Sequence, residues 1–290
     1  MKRTFLAVAV LCWRALSWAG PGEQSRLSDL RGPYLGQKPP GSSAVLFAPE
    51  IITFEAHDSP VFLPDGSGLI IGSMSEGIKS YASADGRWSL PGHLPFPCPE
   101  RVNGLSISPS GARVYFLIWE SSGDENFWFI EKTGDQWTSP RSLGDEVNAF
   151  PTHWQFSLAR NGNLYFSSGG TLMVSRMMEN KHDRPIPLKL GGGSDLKGTT
   201  PFISPDESYL LFASGQEAAS RDLAVSFRKA DGTWSDPVTL GLHLNAPNAL
   251  DHCPMVSPDG KYLFFISTRR GGSRLYWAEA GFIDGLRPKN

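Results

Sequence analysis

Short apolar runs of strand length alternate along this chain with clusters of Ser, Pro, Asp, Asn and Gly, and one arrangement of the two returns five times. The copies centre on Val61-Phe62-Leu63-Pro64-Asp65-Gly66, Ile107-Ser108-Pro109-Ser110-Gly111, Phe156-Ser157-Leu158-Ala159-Arg160-Asn161-Gly162, Ile203-Ser204-Pro205-Asp206-Glu207 and Val256-Ser257-Pro258-Asp259-Gly260. Each reads as a strand running into a tight turn: proline presets φ, Asp suits the turn centre, and glycine takes the positive φ that closes a hairpin. A second run follows at once, at 68–73, 113–119, 163–168, 209–214 and 261–267. In Tyr262-Leu263-Phe264-Phe265-Ile266 it is apolar at every position, the pattern of a strand covered on both faces. A weaker third run stands at 79–83, 127–131, 172–176, 223–227 and 274–278. Trp88, Trp137 and Trp234 then begin a Trp-x-x-Pro stretch, read as an outer strand, where proline is tolerated because a free edge need not donate every ladder bond. Copy three carries His182-Asp183-Arg184-Pro185 instead, so its outer strand is expected to be irregular.

Aligned at positions 64, 109, 158, 205 and 258, the copies recur every 45 to 53 residues. Four short strands at that period are the signature of a β-propeller. The fifth copy lacks an outer strand, while Val45-Leu46-Phe47-Ala48-Pro49-Glu50-Ile51-Ile52 lies unassigned ahead of the first. The expected fold is therefore all-β: a five-bladed β-propeller of four-stranded antiparallel blades, its ring closed by this N-terminal strand, over residues 44–290. Closure pairs the edges that an open array would expose. Residues 20–43, with Pro39-Pro40-Gly41, read as an extended leader. Residues 1–19 read as a signal peptide: Met1-Lys2-Arg3, an apolar stretch from Thr4 to Trp13, and Ser17-Trp18-Ala19 as a small-x-small cleavage site.

The formal net charge is −2, from 27 basic and 29 acidic side chains, which suggests neither nucleic acid nor an anionic membrane as partner. Every later apolar run is strand-length, so no transmembrane segment is expected in the mature chain. Of three cysteines, Cys98 and Cys253 would survive signal cleavage. They fall in different copies and are read as independent thiols rather than a disulfide framework.

Ile203-Ser204-Pro205-Asp206, Val256-Ser257-Pro258-Asp259-Gly260-Lys261-Tyr262-Leu263-Phe264-Phe265 and Asp231-Gly232-Thr233-Trp234-Ser235-Asp236-Pro237 closely resemble the WD40-like PD40 repeat, which builds the propeller of TolB-like periplasmic proteins. Asn148 in Val147-Asn148-Ala149 and Asn245 in Leu244-Asn245-Ala246-Pro247 fit the stretch that links one such repeat to the next. The resemblance spans roughly residues 44–280 and implies an exported, periplasmic or secreted propeller that binds a protein or ligand. The α/β domain that precedes the TolB propeller has no counterpart in this sequence, so a role in the Tol–Pal system is not implied.

In a propeller the residues just before each innermost strand gather at one mouth of the central channel. Here they are Glu55, His57 and Asp58 in copy one, Glu100, Arg101 and Asn103 in copy two, and Thr152 and His153 in copy three. Copy four supplies Lys197, Thr199 and Thr200, and copy five Asp251 and His252. Three of the six histidines fall in this window. Imidazole and carboxylate suit a divalent metal, and the same groups suit a small polar ligand or a protein partner; ordinary solvation of a water-filled channel is the bland alternative. No His-x-x-x-His or Cys-x-x-Cys spacing supports a metal, and no cofactor is expected. A carbohydrate-active hydrolase or lyase would draw its acid and base from Glu55, Asp58, Glu100 and Asp251, but copy three offers only Thr152 and His153 where an acid belongs. A structural envelope scaffold using the flat faces is the third reading. Gly191-Gly192-Gly193-Ser194 lacks the Gly-Lys-Ser/Thr of a phosphate cradle, no Gly-x-Ser-x-Gly elbow occurs, and Arg269-Arg270-Gly271-Gly272 reads as a solvated loop. The leading expectation is a non-catalytic, monomeric binding module.

Overall fold

The computed structural model describes Leu27, 29–73, 75–90, 93–120, 125–151, 155–215 and 221–288. The signal-peptide expectation at 1–19 and the site residue His153 lie outside the described residues.

The strands form five antiparallel blades. Blade one comprises Val61–Phe62, Gly68–Ser73, Gly77–Ala84 and Arg87–Ser89; blade four comprises Thr199–Ile203, Tyr209–Ser214, Asp222–Phe227 and Val238–Thr239. Blade two runs Val102–Ile107, Arg113–Trp119, Glu125–Thr133 and Arg141–Ser142, with Gln136–Trp137 also paired to its third strand. Blade three runs Ser157–Leu158, Leu164–Ser168, Thr171–Ser175 and Ile186–Pro187. As its departure from the repeat foretold, this blade is irregular: a hairpin of Met177–Met178 and Lys181–His182 interrupts the path to its outer strand. Blade five has three strands of its own, Asp251–Val256, Tyr262–Ser267 and Arg274–Glu279, and takes its fourth from Val45–Leu46. The closing register is antiparallel, Val45 opposite Trp277 and Leu46 opposite Tyr276. The closing strand stops at Leu46 rather than reaching Ile52, because Ala48 has a φ of 44° and the amides of Ile51 and Ile52 fold back onto its carbonyl.

Period-two alternation along each second strand explains how the blades stack. Phe264 and Ile266 enter the core shared with blade one, whereas Leu263 and Phe265 enter the core shared with blade four. Leu211 faces blade five while Leu210 and Phe212 face blade three. Leu164 and Phe166 face blade two while Tyr165 faces blade four. Successive side chains point to opposite faces of a sheet, so a continuous apolar run feeds two interfaces at once, and five buried clusters fill the five gaps between blades.

Part of the leader packs against the ring. Leu27 and Leu35 are fully buried, and the Tyr34 ring lies against Phe62, Tyr262, Phe264 and Trp277. The Trp88 indole donates to the Gly32 carbonyl at 2.8 Å. In blades two and four the outer pairing follows the proline of the Trp-x-x-Pro stretch, at Arg141–Ser142 and Val238–Thr239. Trp234 is instead a buried plug between blades three and four. Cys98 and Cys253 are free thiols. Among the described residues no helix is long and apolar enough to cross a membrane.

Candidate functional site

The inner strands do not run straight into the channel. Register shifts interrupt the pairing between Val102 and Gly104, between Thr199 and Phe202, and between His252 and Met255. Beside them Arg101, Thr200 and Cys253 adopt positive φ. A bulge adds a residue on one strand and re-aims side chains locally. These bulges also lock neighbouring blades together: the Cys253 amide donates to Thr200 Oγ1 at 3.0 Å, and the Ser59 hydroxyl donates to the Cys253 carbonyl. Gln155 reaches from blade three to blade five, its Nε2 donating to the Pro254 carbonyl at 2.8 Å.

Above this level lies a polar cluster. His57 Nδ1 is 3.1 Å from Asp58 Oδ2, and both side chains are 15% exposed. Burial lowers the His57 pKa, but the Asp58 charge and hydrogen bond, with Glu125 beyond, outweigh it and hold it above the ordinary imidazole value. Asn103 is buried and donates through Nδ2 to Glu125 Oε1 at 2.5 Å. His252 is held by burial down to about 4; Asp58 pulls the other way, while Arg221 and His57 reinforce the fall. At neutral pH, therefore, one imidazole of the cluster is neutral while the other sits on a carboxylate.

Of the residues expected at this mouth, the structure brings together His57, Asp58, Asn103 and His252. Arg101 directs one guanidinium nitrogen to the Glu120 carbonyl at 3.4 Å, and its buried Nε has no protein partner among the described residues. Four others take different places. Glu55 is exposed and lies against Gly272, where an added Cβ would meet its carboxylate. Glu100 is exposed on the turn before blade two. Lys197 is exposed and donates to Thr171 Oγ1 at 2.7 Å, tying the rim of blade three. Asp251 is fully buried and used structurally: it accepts from Arg269 at 2.8 Å and from the Ala246 amide at 2.7 Å. Arg269 is thus no solvated loop residue; its guanidinium folds back over Tyr276 and also donates to the Leu244 carbonyl.

Reading back from the inner strands missed Glu125 and Arg221. Both stand at the head of a third strand, where the loop from the second strand returns to the same face. A charge at that turn, entered with the blade topology already assumed, was the available signal. Among the described residues no group of three His, Cys, Asp or Glu side chains is placed to hold a metal ion. The acid–base set proposed for a hydrolase also disperses, since Glu55 and Glu100 are exposed and Asp251 is ion-paired.

Below the cluster the channel widens into a cavity of about 410 Å³. Its lining runs from Asp58, Ser59 and Gln155 past the inner strands of all five blades to Pro64, Pro109, Pro205 and Pro258 of the repeating turns.

No family model matches this chain, and the comparison with curated proteins found no match. Among solved structures, a thermostable family-43 glycoside hydrolase aligns at a TM-score of 0.50 with 14% identity, over 83% of this chain and 90% of its own. TolB from Acinetobacter baumannii aligns at 0.49 with 16% identity, over 77% of this chain and 56% of its own. A TolB-type protein of Agrobacterium tumefaciens aligns at 0.45 with 21% identity, over 73% of this chain and 70% of its own. At such identities the likeness is one of fold, which hosts catalysts and binding modules alike.

Proposed function

We propose that this chain is an exported, non-catalytic binding module that holds a small polar ligand, or a polar segment of a protein partner, at the channel mouth. The supporting observation is the meeting of His57 and Asp58 from blade one, Asn103 and Glu125 from blade two, and His252 from blade five at one end of the ring. Convergent polar groups in a concave site fix orientation and specificity. A neutral imidazole both donates and accepts, so His252 adds a group that reads hydroxyl, amide or amine. The carboxylates expected to act as acid and base in a hydrolase are not gathered, which favours binding over turnover.

A panel of monosaccharides, amino acids and short peptides, screened by thermal shift, tests the reading. At least one compound should raise the Tm of the wild-type protein and be recovered unchanged. Its affinity should fall about tenfold or more in Asn103→Ala and His252→Ala. A stabilising compound bound equally by both variants, or one converted to product, would overturn it.

A further inference from the structure

The cavity below the mouth differs from it in chemistry and in the face on which it opens. Its walls are mainly apolar, built by Val61, Leu105, Phe156, Phe202 and Met255 with Ser106, Ser157 and Ser257 among them, and its rim on the face opposite the mouth carries the turn prolines and Arg160. Its floor is polar, and two atoms there lack a protein partner among the described residues: Asp58 Oδ1 and Gln155 Oε1, both buried. His57 occupies the other Asp58 oxygen. The orientation of the Gln155 amide is fixed because its nitrogen donates to the Pro254 carbonyl, so the atom left over is the acceptor. Gln155 is 8% exposed, and a buried polar atom without a partner is costly enough to need an explanation.

Both leftover atoms accept hydrogen bonds and one belongs to a carboxylate. An occupant must therefore donate at its inner end. At these two atoms a carboxylate or phosphate would meet only acceptors, and an alcohol has a single O–H to share between them. An ammonium carries three N–H donors and a compensating charge, and charge-assisted bonds are the strong ones. The outer length of the cavity calls for hydrocarbon. We infer that the channel is a second binding site, for an amphipathic amine that enters from the turn face, lays its apolar body along the inner strands and seats its ammonium on Asp58 and Gln155. A volume of about 410 Å³ suits a ligand of that kind. The site goes beyond the mouth reading, with which it shares only Asp58.

Isothermal titration of the full chain with n-hexylammonium, hexan-1-ol and hexanoate tests the inference. Hexylammonium should bind, hexanol about tenfold more weakly or worse, and hexanoate not at all. Gln155→Met, which removes the leftover acceptor together with the bond to the Pro254 carbonyl, should weaken hexylammonium about tenfold, and Leu105→Trp, which narrows the channel, should weaken it as well. As a readout independent of any variant's folding, the Met255 methyl resonance of the wild-type protein should shift on titration with hexylammonium. No hexylammonium binding, an affinity matched by hexanol, or a Met255 methyl that stays put as the amine binds would each overturn it. None of these outcomes bears on the mouth, which is tested through Asn103 and His252.

Discussion

Burial holds the imidazoles of His182 and His252 down at about 4, although Asp183 pulls the first upward and Asp58 the second. His182 packs edge-on to Tyr115, with Arg113 lowering its pKa further. In the unfolded chain both return to about 6.5, so between pH 6.5 and 4 the unfolded state binds more protons and stability falls as pH falls. The loss should approach about 3 kcal/mol per histidine by pH 4. His57, with its pKa raised, works the other way: its contribution is complete below 6.5 and fades as pH climbs through the folded value. Urea unfolding at pH 7.0 and 4.5 checks the balance; the wild-type midpoint should drop on acidification, and His182→Phe should drop less. At the same scale, Glu207 shows what a repeat conceals. It stands where other copies of the turn have Gly, with a φ of 59°, and its carboxylate accepts from Tyr165, Asn163, Asn161 and Arg228 at 2.6 to 3.1 Å. The turn was legible from Ser204-Pro205-Asp206, but three of the four partners that hold a glutamate there, Asn161, Asn163 and Tyr165, come from blade three and had no signature in the motif.

Within a blade, the linker asparagines tie elements together. Asn245 Oδ1 accepts from the Leu223 amide at 2.7 Å while its Nδ2 donates to the Leu223 carbonyl at 3.0 Å; Asn148 grips Phe127 in the same way. Each linker is thereby pinned to the third strand of its own blade before the chain enters the next. Asn245 is buried, and the Leu223 carbonyl keeps the Leu240 amide, so Asn245→Ala leaves the Leu223 amide unsatisfied and should cost about 1–3 kcal/mol in denaturant unfolding, with Asn148→Ala costing less at its more accessible site. Strand existence was readable from the alternation of apolar runs and turns. The bulges were not, because a register shift at Thr200 or Cys253 depends on what the opposite strand and the next blade offer, and no local pattern encodes that.

For the molecule as a whole, closure rests on residues far apart in sequence. Leu27, Leu35 and Phe47 are fully buried with Phe264 and Trp277 in the seam between blades five and one. Each buried side chain of this size contributes roughly 1.5–3 kcal/mol. A chain starting at residue 48 would also expose the edge of Arg274–Glu279, which Val45–Leu46 now covers. We expect that truncation to lose roughly 5 kcal/mol or more and to self-associate through the bared strand, readable by calorimetry and size-exclusion chromatography. A truncated chain that stayed monomeric with an unchanged Tm would contradict the closure account.

The sequence by itself determined the number of blades, their strand order and the identity of the closing strand, because each depends on local periodicity and turn chemistry that recur in every copy. Only the tertiary structure decided which polar residues share the mouth. Asp251 pairs with Arg269 and Lys197 with Thr171, while Glu125 arrives from a third strand to meet Asn103. The amide orientation of Gln155 and the leftover oxygen of Asp58 likewise exist only where blades one, three and five meet. A side chain's chemistry is set by the neighbours that desolvate and bond it, and in a ring those neighbours come from segments many tens of residues away.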